Sequence, residues 1–323
     1  MRQGLLAALA AGALLAAPCA ADAQGFPNRP VRIIVPYSVG FGPDIVARTV
    51  AQRLSQVWNQ PVLVENRPGA SGIVALAEVK RVAADGHTLF VADAGSMSAN
   101  PLLHSNLPYD PHKDFAPIST LFHATFVIWV RTESRFKTMQ DMLAEARAQP
   151  ARVSYASLGN GHPSQLAVET MARAAEVDFL HVPFRDAGSM FNALVNGDVD
   201  FTTVSTNSAA PLVKAGKLRP LAVAARERLK DFPEIPTLPQ AGGPPVQMQP
   251  WAALVTAAGT PQPILEQLNR DVVAALRLPE VRARIEAIGF DVIPSTPQEL
   301  SDLIRRDAEI YAPLIKSGRV RAD

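Results

Sequence analysis

The sequence predicts an α/β fold, because β-branched runs alternate with amphipathic helical patterns, the alternation occurs in two successive series, and each series holds a glycine-rich strand-to-helix joint. Strands separated by helices imply sheets that are mainly parallel and flanked by helices.

The first series opens with Val31-Arg32-Ile33-Ile34-Val35, a short strand. After a loop with Gly40 and Gly42, Val46, Val50, Leu54 and Val57 recur at helical spacing opposite Arg48, Gln52 and Gln56. Val62 to Val64 reads as the next strand, Asn66-Arg67-Pro68-Gly69 as a turn, and Ile73 to Val82 as an alanine-rich helix. Asp85-Gly86 then turns into a strand at Thr88 to Ala92.

The second series starts with a strand at Phe126 to Val130 and a helix at Met139 to Gln149. A strand at Val153 to Ala156 and a helix from about Ser164 to Ala174 follow, then a strand at Phe179 to Val182, a helix at Met190 to Val195 and a strand at Val199 to Thr203. Asp231 to Pro250 is rich in proline and glycine and reads as loop. The last third holds a strand at Ala252 to Thr256 and helical patterns near Gln262 to Leu276, Glu280 to Ile288 and Pro297 to Ser317.

The amino terminus reads as a cleavable secretory signal, residues 1–23. Met1 and Arg2 precede an apolar run from Leu5 to Ala17, and Ala21-Asp22-Ala23 suits a signal peptidase. That run falls well short of the roughly 20 residues a membrane span requires. Cys19, the only cysteine, lies inside the predicted signal, so the mature chain carries no thiol, which suits an oxidising compartment. A lipid anchor on Cys19 ranks behind soluble export because Pro18 precedes it. The 31 basic and 30 acidic residues leave a net charge of +1, which indicates no nucleic-acid or anionic-membrane surface.

The joint Pro36-Tyr37-Ser38-Val39-Gly40-Phe41-Gly42-Pro43-Asp44 can seat an anion, because a helix start leaves backbone N–H groups unpaired and carries partial positive charge. Gly40 and Gly42 allow close backbone approach, and Pro43 suits the first helical turn. Asp44 either compensates the helix dipole or accepts a donor from a ligand. Tyr155-Ala-Ser157-Leu-Gly159-Asn160-Gly161-His162-Pro163-Ser164 is a second such joint, and the two suggest opposite walls of one cleft. No nucleotide-binding loop, serine elbow or zinc motif is present. The six histidines lack ligand spacing, so no metal, cofactor or catalytic residue is assigned.

The segments "PVRIIVPYSVGFGPDIVAR", "QPVLVENRPGASG", "ADGHTL", "LPYDPHKDFAPIS", "VSYASLGNGHPSQLA", "HVPFRDAG" and "VKAGKLRPLAV" together resemble the tripartite tricarboxylate transporter family substrate-binding proteins, often called Bug receptors. The resemblance spans nearly the whole mature chain. It implies a two-domain periplasmic binding protein (type II-like) with a ligand cleft between the domains, two crossing segments as hinge, and no chemistry. Residues 24–125 and 224–323 would form one domain and residues 126–223 the other. The partners implied are a small organic acid or amino acid and integral-membrane transporter subunits, with the receptor a monomer in the periplasm and no nucleic acid bound.

Carried over, the family's first loop, Pro-Phe-Pro-Pro-Gly-Gly-Gly-Thr-Asp, falls on Pro36 to Asp44 and departs at Ser38, Val39, Phe41 and Pro43. Phe41 replaces a glycine with a ring, which either stacks on an aromatic acid or points outward. The second loop matches through Ser157, Gly159, Gly161 and Ser164, with His162 and Pro163 where serine or threonine types are usual. Thr203-Val204 stands where the family often has Phe-Asp, implying a lost polar contact. The ligand-binding set is therefore Tyr37, Ser38, Gly40, Phe41, Gly42, Asp44, Ser96, Ser157, Gly159, Gly161, His162, Ser164, Phe184 and Arg185, with Ser96 a third contributor after a strand end. A sensor feeding a signalling partner, and a hydrolase-type site around Ser157 and His162, are the rival readings.

Overall fold

The computed structural model describes residues 25–230 and 232–322; the predicted signal peptide and Cys19 lie outside them. The chain first builds β1 (Val31–Val35), α1 (Gly42–Trp58), β2 (Val62–Asn66), α2 (Ile73–Val79), β3 (Thr88–Asp93), a π-helical turn (Gly95–Ala99), α3 (Asn100–Leu103) and β4 (Phe115–Ala124). It then crosses to β5 (Val127–Arg131), α4 (Met139–Ala148), β6 (Ser154–Ser157), α5 (Pro163–Ala175), β7 (Leu180–Pro183), α6 (Ala187–Asn196), β8 (Phe201–Val204), α7 (Thr206–Lys214) and β9 (Leu218–Val223). It returns through β10 (Trp251–Ala257), α8 (Gln262–Arg277), α9 (Pro279–Glu286), β11 (Phe290–Asp291) and α10 (Pro297–Lys316).

Two sheets result, ordered β11-β4-β10-β3-β1-β2 and β7-β6-β8-β5-β9. Both are mixed, which corrects the expectation of mainly parallel sheets. Pairs β1–β2, β1–β3, β6–β7 and β6–β8 are parallel, whereas β10 runs antiparallel to β3 and β4, and β5 antiparallel to β8 and β9. The crossings are the cause. β10 starts where the chain re-enters the first sheet, at the end where β3 finishes, so it must run back against β3.

Alternation along each strand sets the packing. In β1, Ile33 joins Val46, Val50 and Leu54 of α1 and Val272 of α8 on one face, while Ile34 joins Phe90, Leu76, Leu300 and Ile304 on the other. Each such fully buried side chain contributes about 1.5–3 kcal/mol. In β5, Ile128 and Val130 face Met139 and Met171, and Val127 and Trp129 face Met190 and Leu194. Helices α4 and α10 begin with capping boxes, Thr138 with Asp141 and Thr296 with Glu299, which satisfy amides that a helix start otherwise leaves open.

The crossings lie side by side. Ala124 N–H donates to Pro250 O at 2.7 Å, Phe126 N–H to Met248 O at 3.2 Å, Ala224 N–H to Phe126 O at 2.9 Å and Met248 N–H to Ala224 O at 3.0 Å. The chain end also reaches the second half, where Leu314 and Val320 pack with Leu166 as well as with Ala99 of the first half, and Arg319 pairs with Asp178 at 2.9 Å.

Candidate functional site

The loop after β1 turns on Gly40, whose φ of 79° is in the left-handed region that favours glycine, although a Cβ there would meet no atom within 4 Å. Its N–H donates to Asp44 Oδ2 at 2.8 Å. Asp44, 1% exposed, also accepts from Arg48 Nε at 3.0 Å and from Asn66 Nδ2 at 2.8 Å, and the same Asn66 amide reaches Tyr37 O. Burial alone would raise the Asp44 carboxyl, but these bonds and the Arg48 charge hold it below the usual carboxylate range. Asp44 thus ties the loop to its own helix and to β2. Gly42 is needed for another reason than ligand approach: a Cβ there would lie 2.3 Å from the Phe290 ring, which stacks on Phe122.

The loop after β6 repeats the device with neutral groups. Gly161 N–H, at φ 71°, donates to Gln165 Oε1 at 2.7 Å, the same four-residue reach as Gly40 to Asp44. His162 caps α5: its Nδ1 accepts from Ser164 N–H at 3.1 Å, which leaves the imidazole proton on Nε2. Burial pushes His162 down to about 4. Ser157 Oγ lies 2.6 Å from His181 Nε2 and receives Gly159 N–H at 3.2 Å. The hydrolase reading pairs Ser157 with His162; instead Ser157 pairs with His181, His162 with Ser164, and Ser157 is wholly buried.

A cleft of ≈ 650 Å³ lies between the two halves. Its walls are the loops after β1 and β2 on one side and those after β6 and β7 on the other, so the parallel strands of both sheets aim their carboxyl ends at it. Seven predicted residues line it: Tyr37, Ser38, Phe41, Gly159, His162, Phe184 and Arg185. Ser164 lies behind, in a small apolar cavity shared with Tyr37, Phe41 and His162. Gly40, Gly42, Asp44, Ser96, Ser157 and Gly161 line neither space. Ser96 is fully buried, exchanging hydrogen bonds with Asp93, to which Tyr37 also donates its hydroxyl. Thr203 is turned inward too, donating to Ser164 O at 3.4 Å.

Sequence reasoning missed Ser71, His104, Asn160 and Asp186 in the cleft wall. Ser71 Oγ donates to Asn160 O at 2.7 Å, joining the two halves directly. Ala70 and Ser71 both hold φ of 46° without being glycine, a left-handed strain of order 1 kcal/mol each. The signal was the adjacent Gly69 and Gly72 in "NRPGASG", read only as a turn.

The joint amides are largely consumed within the protein. Gly40 N–H serves Asp44, Phe41 N–H serves Ser38 O, Gly161 N–H serves Gln165, and His162 N–H serves Gly159 O. Arg185 is different: it is exposed in the cleft wall, and no hydrogen bond or ion pair engages it among the described residues.

Residues 46–319 match the model of the tripartite tricarboxylate transporter family receptor. A Cupriavidus necator protein described as a UPF0065 protein in the gbd 5' region is 35% identical over 91% of this chain and 88% of its own length. Two solved Rhodopseudomonas palustris structures are also similar. One, with adipate, has a TM-score of 0.85 at 28% identity, covering 92% of this chain and 99% of that one. The other, MatC with bound malate, has a TM-score of 0.82 at 31% identity, covering 90% and 100%.

Proposed function

The chain belongs to the tripartite tricarboxylate transporter family of receptors, and on that premise we propose that it captures a small organic acid between two domains and delivers it to a membrane transporter. The observation that carries the proposal is the cleft itself, walled by strand-end loops of both sheets, with the small apolar cavity beside it lined in part by Ala124, Phe126 and Pro250 of the hydrogen-bonded crossings. We take the domains as residues 24–125 with 224–323, and residues 126–223, a division that sheet membership supports. A ligand touching both walls favours the closed arrangement by its extra contacts there, and the closed form is what a transporter would recognise. The solved relatives holding adipate and malate support a carboxylate ligand.

No described helix is long and apolar enough to cross a membrane, which accords with a periplasmic receptor released by its signal peptide. Ser157, whose hydroxyl pairs with the His181 ring, is wholly buried and absent from the cleft wall, which favours binding over turnover.

A thermal-shift screen of residues 24–323 against aliphatic diacids, tricarboxylates, acidic amino acids and aromatic acids tests the reading. A ligand at 100 times its dissociation constant adds about 2.7 kcal/mol to the folded state. At least one acid is expected to raise the midpoint; a flat response across the whole panel, with native mass spectrometry showing an empty cleft, rejects it.

A further inference from the structure

Resting on the receptor reading above, we propose that the cleft selects an acid with a single carboxylate and a flat aromatic body over an aliphatic diacid. Charge is the first ground. An ionised carboxylate leaving water needs a charge-assisted donor, and a second carboxylate needs a second one. Among the described lining residues Arg185 is the one side chain of permanent positive charge, and it has no partner. The joint amides that would hold another carboxylate are mostly spent on Asp44, Gln165 and loop carbonyls.

Asp186, next to Arg185 in the same wall, adds a repulsive element. It caps α6, accepting from Ser189 N–H at 2.9 Å and Ser189 Oγ at 2.8 Å, and these bonds hold its carboxyl below the usual range, so it stays ionised. A second carboxylate close to Arg185 would meet that charge, whereas one carboxylate on Arg185 forms a single pair.

Shape is the second ground. Tyr37 and Phe41 stack at 5.9 Å with their planes 15° apart, and both line the cleft, with Phe184 contributed by the other half. Pro36, Pro68 and Pro183 add flat apolar surface. A planar ring can pair with these rings as well as bury against them, which an alkyl chain cannot.

The test is isothermal titration of residues 24–323 with benzoate, 4-hydroxybenzoate, adipate and malate. At least one aromatic acid should bind about tenfold tighter than either diacid. Arg185→Ala should abolish that binding. Phe41→Leu, which keeps apolar volume against the core, should weaken it about tenfold, and Phe41→Gly should weaken it at least as much while also lowering the unliganded melting midpoint. Asp186→Asn, which keeps the helix cap, should raise adipate affinity several-fold. Adipate or malate binding as tightly as the aromatic acids overturns the inference and leaves the receptor reading standing, as does an aromatic affinity indifferent to both Phe41 variants. No binding by any of the four overturns it too, and the wider thermal-shift panel then decides the receptor reading.

Discussion

The two strand-to-helix joints share one construction and differ in charge. In each, a left-handed glycine donates its N–H to the side chain four residues on, Gly40 to Asp44 and Gly161 to Gln165, and the residue after the glycine opens the helix. The first joint is braced by an ionised carboxylate shared with Arg48 and Asn66; the second by neutral glutamine, serine and histidine. The pair shows that a glycine joint at a helix start need not be an open anion seat. Here the protein spends those amides on rigidity, and cleft chemistry passes to side chains such as Arg185.

The largest expected effect comes from titrating the second joint. Both states carry neutral His162 above pH 6.5, the ordinary value; below it the unfolded chain gains a proton that the folded imidazole, depressed to about 4, does not. Stability is therefore full above pH 6.5 and is lost as pH falls toward 4, by about 3 kcal/mol from this residue. Denaturant unfolding at several pH values should show a shallower slope across that window for His162→Thr, which keeps a capping side chain; parallel slopes would remove the histidine from the account.

Next in size is the contrast between the two braces. Asp44→Ala leaves Gly40, Arg48 and Asn66 without their acceptor and should cost about 2–3 kcal/mol, discounted because Arg48 is exposed. Gln165→Ala should cost about 1 kcal/mol. Equal losses in urea melts would mean that charge makes no difference between the joints. The smallest effect tests what joins the halves: Ser71→Ala removes the bond to Asn160 and, at about 1 kcal/mol, should weaken acid binding roughly fivefold in titration calorimetry.

The α/β grammar was legible because Val31 to Val35, Thr88 to Ala92 and the α1 face at Val46, Val50 and Leu54 carry clean periodicities. β4 was not, since Pro117 and His123 interrupt its run, nor was α7, whose Pro211 reads as a stop. At the site, the two joints and their opposition across a cleft were readable from glycine placement. The destination of their amides was not, because capture by Asp44 or Gln165 depends on side-chain rotamers rather than spacing. Ser96 was misplaced for the same reason, its hydroxyl being turned to Asp93.

The central claim is that both joints wall one binding site. Amide NMR of residues 24–323, titrated with the acid giving the largest thermal shift, tests it most directly. The account predicts that Phe41, Gly159 and His162 amides shift together along one binding curve and that Phe41→Gly displaces that curve. Shifts confined to one joint, or two joints following different curves, would contradict it.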